Sequence, residues 1–595
     1  MKKKKNILLY VVDSLNYSHI KNSDLNLMPF LEELKKDAVY CENMYSQAPY
    51  TEAALMNLYC GQDVLENGGY MLRFKDTPNT IFDAMRQNGY ITFCNFYEPQ
   101  CYPSSLRRGI DYLYYSVGYD QAALWSYRLK HFSELFSQGR LDEKDYELLY
   151  EILDDNLMEW IKFTDCLLTD DESIKMIQGN SSDYNTRKIK RAVEREYGEF
   201  IKDKNEYVEN ILKQGTGHSF FHIPAYIQNN KVKNRRTMEK VRKEFTPLFK
   251  RIRRMDFILN IHNCRGIWKG PVRKCGDFIK HPSAAGVREF VKSSYLAVNE
   301  LIDIDLYKRI DGDYDSFKNA PSARKSIEFY INWAAQYKNA GPHFACIHVN
   351  DAHNPETFFT YDSDDLKLLE FEKREVESIL NQIPKDYSGS LTHELSLRYI
   401  DNTIKYMYEE LERIGILKDT CVIITADHGF SFSGNPLRDS FVTNLYLENY
   451  NIPCVITGTG YGAGRIDCLR MSKDIPATIC TLAGGEIPDA FSGHNIMEDF
   501  EYDYNIIEYC GGGCPDLSRR ELKMAVYDRE LFVGVLCRMD EELTDGCITE
   551  IYDLREDPLQ LKNLVKKGYD QKKVKKMLKV IDNRRRSIIA TNPRK

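Results

Sequence analysis

Cys421-Val-Ile-Ile-Thr-Ala-Asp-His-Gly429 decides how this chain is read. Residues Cys421 to Ala426 are apolar or β-branched without a break, the composition of a strand covered on both faces, and such strands belong to parallel sheets. The run then meets Asp427, His428 and a glycine. In open α/β sheets ligands bind outside the carboxyl ends of the strands, which puts a carboxylate and an imidazole side by side at the mouth of a crevice. The pair suits a divalent metal of the zinc or manganese kind. Taken alone it equally suits an Asp that caps a following helix next to a surface His.

Other short apolar runs end the same way. Ile7–Val12 runs into Asp13, and Phe344–Val349 leads to Asn350-Asp-Ala-His353-Asn-Pro355. Ile452–Ile456 is a further β run. Between them lie segments of helical spacing: Met28–Tyr40, which passes into a short strand; Thr80–Tyr90, which ends at Gly89 ahead of a strand at Ile91–Phe96; Ser326–Tyr337; and Leu395–Ile414. This alternation predicts a doubly wound α/β domain. A helix is also expected over Glu52–Tyr59, with Thr51 in N-cap position. Its amino terminus offers N–H groups and the positive end of a dipole, a place for a phosphate or sulfate. The plainer reading is that Thr51 is only a cap.

At 595 residues the chain exceeds one ordinary core. Its expected division is a first part of the catalytic α/β domain at 1–120, a helical insertion at 121–285, the second part of the catalytic domain at 286–500, and an antiparallel-sheet subdomain with a basic helical tail at 501–595. The insertion is rich in Tyr, Lys, Glu and Asp. Its stretch Lys231–Arg254 carries eleven Lys and Arg, which reads as a solvated helix face or as a platform for an anionic polymer or lipid headgroup. Near the end, Lys523–Tyr527 and Leu531–Leu536 flank Asp528-Arg-Glu and predict a hairpin.

With 43% hydrophobic and 28% charged residues the composition is globular, and a net charge of −7 gives no reason to expect nucleic acid as a partner. The sixteen cysteines show no repeated spacing beyond Cys510-Gly-Gly-Gly-Cys514, so they are read as reduced thiols. The apolar run after the four N-terminal lysines, Ile7–Val12, is shorter than the roughly 7–15 residues of a signal-peptide core. No segment approaches the roughly 20 apolar residues of a membrane span. The expectation from these features is a cytoplasmic protein; they leave its oligomeric state open.

Several motifs in order resemble the sulfatase-like branch of the alkaline phosphatase superfamily. They are the strand ending in Asp13; Pro29-Phe-Leu followed by Tyr45-Ser-Gln-Ala-Pro-Tyr-Thr51; the ten-residue step from Thr51 to Gly61; His353-Asn-Pro355; Asp427-His428-Gly429; Glu448-Asn-Tyr-Asn-Ile-Pro453; and Ile551-Tyr-Asp-Leu-Arg-Glu-Asp-Pro558 with Asn563-Leu564. They span roughly residues 5–115 and 285–565 and leave the insertion unmatched. The resemblance implies an alkaline-phosphatase-like mixed sheet sandwiched by helices, with a helical insertion and a small C-terminal α+β subdomain. It implies one divalent metal ion, zinc or manganese before calcium or magnesium, held by Asp13, Thr51, Asp427 and His428. Thr51 would double as nucleophile. His353 would contact the transferred group or protonate the leaving group, with Arg438 and His494 as further substrate-binding candidates.

The chain departs from sulfatases in one respect. Sulfatases carry Cys or Ser in a C/S-x-P-x-R pattern from which formylglycine is made, whereas Thr51, Ala53 and Leu55 stand here. Threonine cannot be oxidised to that aldehyde. A Thr with an Asp-His pair looks more like the lipoteichoic acid synthases and phosphoethanolamine transferases of the superfamily, which work behind transmembrane helices that this sequence lacks. The expected activity is therefore a metal-dependent hydrolase or phosphotransferase acting on a phosphate ester, with sulfate less favoured. Its substrate would be a phosphorylated or sulfated small molecule, a glycan or a lipid headgroup. The competing reading is a degenerate family member that binds anionic glycan without turnover.

Overall fold

The computed structural model describes residues 4–22, 25–67, 79–96, 108–115, 176–178, 186–222, 323–353, 391–430, 445–509, 521–539 and 541–591, with scattered positions between 132 and 161 and between 251 and 382. A nine-stranded sheet organises the chain. Its strand order is β10 (Gly464–Ile466), β2 (Val39–Cys41), β9 (Cys454–Thr457), β8 (Thr420–Ala426), β1 (Asn6–Val12), β7 (His343–Val349), β4 (Ile91–Phe96), β5 (Tyr112–Tyr115) and β6 (Met176–Gln178). The strand read from CVIITADHG is β8. It runs parallel to β1, which runs parallel to β7, and all three are buried along their whole length. β9 is antiparallel to both β8 and β2, so the sheet is mixed.

Register fixes what meets at the carboxyl edge. Val12 pairs with Ala426 on one side and with Val349 on the other. Asp13, Asp427 and Asn350 therefore leave the sheet at one level. The Asp13 N–H donates to the Val349 carbonyl at 2.8 Å and extends the ladder one residue past the strand.

Side chains alternate between the two faces of the sheet, and helices cover both. On β7, the His343 ring meets Tyr330 of α7 (Ala323–Tyr337) at 2.9 Å, whereas Phe344 packs at a tilt against Phe82 of α4 (Ile81–Gln87) and Cys346 Sγ lies 3.6 Å from Tyr59 Oη of α3 (Thr51–Cys60). α7 packs with α8 (Leu391–Arg413), which also packs with α2 (Pro29–Leu34); α3 and α4 pack with α9 (Asp474–Leu482). α4 opens on a capping box between Thr80 and Asp83 and closes before Gly89 at φ +77°, as its sequence predicts. α1 (Tyr17–Asn22) follows Asp13 directly.

Within the segment predicted to be helical, α5 (Thr186–Lys202) and α6 (Lys204–Gln214) share an apolar core with Phe132, Leu149, Leu153 and Leu157. The segment also gives β6 to the edge of the main sheet, which its composition did not suggest. Of Lys231–Arg254, Arg251 alone is described; the rest of that stretch and Arg438 lie outside the described residues.

β12 (Asn505–Tyr509), β13 (Glu521–Tyr527), β14 (Leu531–Arg538) and β15 (Ile548–Asp553) form an antiparallel sheet, and the hairpin predicted around Asp528-Arg-Glu is β13–β14. α10 (Gln571–Thr591) lies on it, and their shared core takes in Ala48, Ala53, Ala54, Val64 and Leu65 from around α3. A two-stranded pair, β3 (Met44–Tyr45) with β11 (Arg470–Met471), completes the elements. Among the described residues, no helix is long and apolar enough to cross a membrane.

Candidate active site

Asp427 leaves β8 fully buried and is pinned by the backbone. Its Oδ1 accepts the N–H of Ser14 at 3.0 Å and of His428 at 2.7 Å. Ser14 sits at φ +63°, in the left-handed region that non-glycine residues seldom adopt, and so turns its N–H toward Asp427. Its hydroxyl donates to Asp13 Oδ1 at 2.8 Å. Each carboxylate thus has one oxygen tied down by Ser14 and one turned away from it.

His428 is oriented by its own turn. Nδ1 lies 2.6 Å from the Gly429 carbonyl, which can only accept, so Nδ1 carries the proton and the lone pair is on Nε2. That nitrogen stands 3.5 Å from Asp427 Oδ2, 3.7 Å from Asp13 Oδ1 and 3.4 Å from Thr51 Oγ1. Gly429 is required by close packing, because a Cβ there would come within 2.3 Å of the Glu448 carbonyl oxygen.

Thr51 reaches the cluster from the other layer. Its hydroxyl donates to Asp13 Oδ2 at 3.1 Å. The helix cap differs from the prediction: Tyr50, at φ −151° and ψ 152°, is the N-cap, and Thr51 is the first helical residue. Its side chain makes no capping bond, because it faces the carboxylate instead. The ten-residue step to Gly61 is the length of α3, closed by that glycine at φ +61°.

Asp13, Asp427 and His428 bring their ligand atoms within 4.8 Å of one another, all buried. Asp427 Oδ2 is buried and accepts no hydrogen bond, which is costly unless a cation completes it. Two carboxylates, one imidazole lone pair and a hydroxyl make an N/O donor set that fits a divalent cation such as zinc or manganese. Burial pushes Asp427 up, yet the His428 and His348 imidazoles and the Ser14 N–H hold its carboxyl well below the ordinary range.

His348 is a neighbour the sequence reading passed over. It is fully buried on β7, with Nε2 3.8 Å from Asp13 Oδ2 and 3.7 Å from Asp427 Oδ2. Burial pushes its imidazole down, but Asp427 and Asp13 outweigh this and leave it above the usual histidine value. The available signal was a lone ionisable ring inside the otherwise apolar Phe344–Val349.

The remaining candidates take no part in the contacts above or lie outside the described residues. His353 is exposed in the turn after β7, its N–H donating to the Asn350 carbonyl at 3.1 Å. His494 is also exposed; its ring packs on Phe500 and Tyr502, and its N–H donates to Asp474 Oδ1 at 2.9 Å. His494 is thus placed in an aromatic cluster beside α9 rather than against Asp13. In the segment at 121–285, His218 packs edge-on against Tyr207 and its Nδ1 accepts the Phe220 N–H, a structural role.

A mixed sheet between helix layers, with an Asp/Asp/His cluster at its carboxyl edge and a hydroxyl at a facing helix start, defines an alkaline-phosphatase-like α/β protein. The Sulfatase family profile matches residues 5–164 and 195–485, more than half of the chain, and the chain belongs to that family. The match runs through much of the segment that the sequence motifs had left unmatched. An endo-4-O-sulfatase of Bacteroides thetaiotaomicron is 26% identical over 250 residues, which are 38% of this chain and 47% of that protein. The multifunctional alkaline phosphatase superfamily protein PehA of Trinickia caryophylli is 25% identical over 209 residues, 32% of this chain and 37% of PehA. The chain therefore spans less than half the length of these curated relatives. Among solved structures, a phosphonate monoester hydrolase from Silicibacter pomeroyi aligns over 99% of this chain and 96% of its own, with a TM-score of 0.48 and 13% identity.

Proposed function

We propose that the protein is a metal-dependent hydrolase or phosphotransferase that cleaves phosphate esters through Thr51. The observation that carries the reading is the contact of a hydroxyl at the start of α3 with Asp13 (3.1 Å) and with the lone-pair nitrogen of His428 (3.4 Å), from elements far apart in sequence. Neither a cap nor a surface loop needs that contact.

Asp13, Asp427, His428 and Thr51 would hold the cation. When bound, it lowers the pKa of a coordinated hydroxyl and neutralises charge on a phosphoryl oxygen. The protein's own residues supply the rest. The hydrogen bond to Asp13 Oδ2 fixes where the Thr51 proton points and leaves an oxygen lone pair free to face the crevice. Thr51 Oγ1 attacks phosphorus in line as its proton passes to Asp13 Oδ2, to which it is hydrogen-bonded; the bond from phosphorus to the departing alkoxide breaks, and a phosphothreonine forms. His353, on the turn beyond β7, donates the proton that the leaving oxygen takes up. Water or an acceptor hydroxyl then removes the phosphoryl group from Thr51. First-turn N–H groups of α3, at whose start Thr51 stands, would stabilise charge developing on the transferred group.

Phosphate is favoured over sulfate because a threonine cannot become the formylglycine on which sulfatases of this pattern depend. Family membership, and similarity to a protein named an endo-4-O-sulfatase, support an anionic ester as the substrate class, and we take a glycan or lipid-linked precursor as the candidate.

The deciding experiment is a panel of aryl phosphate monoesters, diesters and sulfate esters with added zinc or manganese, run beside Thr51→Ala. Turnover of a phosphate ester that Thr51→Ala abolishes, with the fold retained by circular dichroism, is expected. Sulfate-only turnover would favour a sulfuric ester hydrolase. Cation binding without turnover of any ester would favour an anionic-glycan binder.

A further inference from the structure

The mechanism above leaves His348 without a task, although it is packed against its central residues. His348 pairs in register with Val11 on β1 and shares a face of β7 with Cys346, the face that meets α3. Its Nε2 stands 3.8 Å from Asp13 Oδ2 and 3.7 Å from Asp427 Oδ2, ion-pair rather than hydrogen-bond separations. These are not the oxygens that Ser14 anchors. Asp427 Oδ1 takes the Ser14 and His428 N–H groups, and Asp13 Oδ1 takes the Ser14 hydroxyl. Asp427 Oδ2 accepts no hydrogen bond and Asp13 Oδ2 accepts the Thr51 hydroxyl, so both lie on the side of the cluster where the ligand atoms meet, and one imidazole edge addresses both.

His428 Nε2 also faces both carboxylates, but its proton is fixed on Nδ1 by the Gly429 carbonyl. At His348 Nε2 a hydrogen is attracted by both carboxylates, whereas a lone pair would be repelled by them. The donor atoms that converge within 4.8 Å are those of Asp13, Asp427 and His428. His348 therefore meets the carboxylates rather than joining the ligand set. Two like charges converging in a buried site push apart, and an N–H placed between their outward oxygens opposes that spread.

We propose that His348 is a positioning residue of the cation site, holding the outward oxygens of Asp13 and Asp427 at the separation a divalent ion needs. The assignment rests on the cation reading of the site. Groups of this kind behind metal ligands are worth about 10- to 100-fold in metal affinity.

The test uses Mn(II) as the probe and the whole 595-residue chain. Bound and free Mn(II) are counted by electron paramagnetic resonance, and melting is followed with and without the ion. His348→Leu is expected to weaken Mn(II) binding about 10- to 100-fold, and His348→Gln, whose amide N–H extends toward the same space, to keep most of the affinity. A purely structural role would lower the melting temperature equally with and without Mn(II); a positioning role removes the Mn(II)-dependent part of the rise. Should the Leu variant not fold, His348→Asn takes its place. Its amide is too short to reach the carboxylates, so weak binding by Asn beside near-normal binding by Gln supports the assignment. Unchanged affinity in a folded Leu or Asn variant overturns it while the cation site stands. Absence of Mn(II) binding in the wild type overturns the cation reading and this assignment together.

Discussion

Arg584 offers a quantitative test of how the C-terminal helix supports the site. Its guanidinium reaches inward from α10 to Glu508 Oε1 at 2.6 Å, Glu66 Oε1 at 3.1 Å and Asp63 Oδ2 at 3.6 Å, with the side chain 12% exposed. These acids flank α3: Asp63 binds Gln47 and the Lys473 ammonium, and Glu508 accepts the Leu65 N–H at 2.9 Å. Removing the cation leaves Asp63 with Lys473 and Gln47, and Glu66 with the Asp63 N–H at 3.0 Å. Glu508, 2% exposed, loses its charged partner. Breaking a buried pair from one side costs about 3–5 kcal/mol. Since Glu508 keeps a backbone donor, Arg584→Met should fall near the lower end, about 3 kcal/mol. Arg584→Ala adds the lost packing of the stem. Adding Glu508→Gln to Arg584→Met should recover most of the loss, because the stranded charge goes with it. The deficit should also depend on pH. Burial and then Asp63 raise the Glu66 pKa, while Arg584 opposes them. A carboxyl raised in the folded state contributes its stability at low pH and loses it as pH rises through the folded value. Without Arg584 that loss deepens, so the variant's deficit should be larger at pH 8 than at pH 5. Urea unfolding gives these differences. If Arg584→Met and the double variant both unfold within about 0.5 kcal/mol of wild type, the network does not hold the nucleophile helix as argued.

Two further outcomes follow from single contacts. Asp401 accepts the Phe30 and Leu31 N–H groups at the start of α2, and burial raises its pKa to about 6. Against an unfolded value near 3.9, its ionisation should cost about 1.4 kcal/mol more at pH 8 than at pH 5, so the stability of Asp401→Asn relative to wild type should rise by that amount over the interval in urea titrations. Gly429→Ala would bring Cβ to 2.3 Å from the Glu448 carbonyl, a backbone atom that cannot swing aside. About 1–3 kcal/mol of stability should be lost, and Mn(II) affinity should fall with it because His428 is oriented by the Gly429 carbonyl.

The fold was legible because its central strands are chemically uniform. β1, β7 and β8 are apolar runs that end in polar residues, and a strand buried on both faces has no other composition open to it. Asp13, Asp427 and His428 were readable for the same reason, since each is the first chemistry after such a run. The C-terminal motif was readable because its polar residues serve the backbone: Asp557 accepts the Leu561 and Lys562 N–H groups, and Asn563 accepts from Ile551 and donates to Thr549. What stayed hidden was set by register across strands. Ser14 looks like any loop serine until its positive φ turns its N–H to Asp427. The family resemblance alone singles out Thr51 as nucleophile and ligand; on local rules it reads as a cap, since a hydroxyl at a helix start satisfies them whether or not a carboxylate waits across the sheet edge. His348 lies one residue inside a strand, where a polar ring reads as an accident of composition; only the pairing of Val11 with His348 and of Val12 with Ala426 puts it beside both carboxylates. The cluster is therefore a property of three parallel strands in one register. A one-residue slip of β7 against β1 would turn His348 to the α7 face while leaving the apolar pattern intact. Burial alone does not exclude that slip. The His343 contact with Tyr330 and the Cys346 contact with Tyr59, one on each face of β7, do, because both would be lost together.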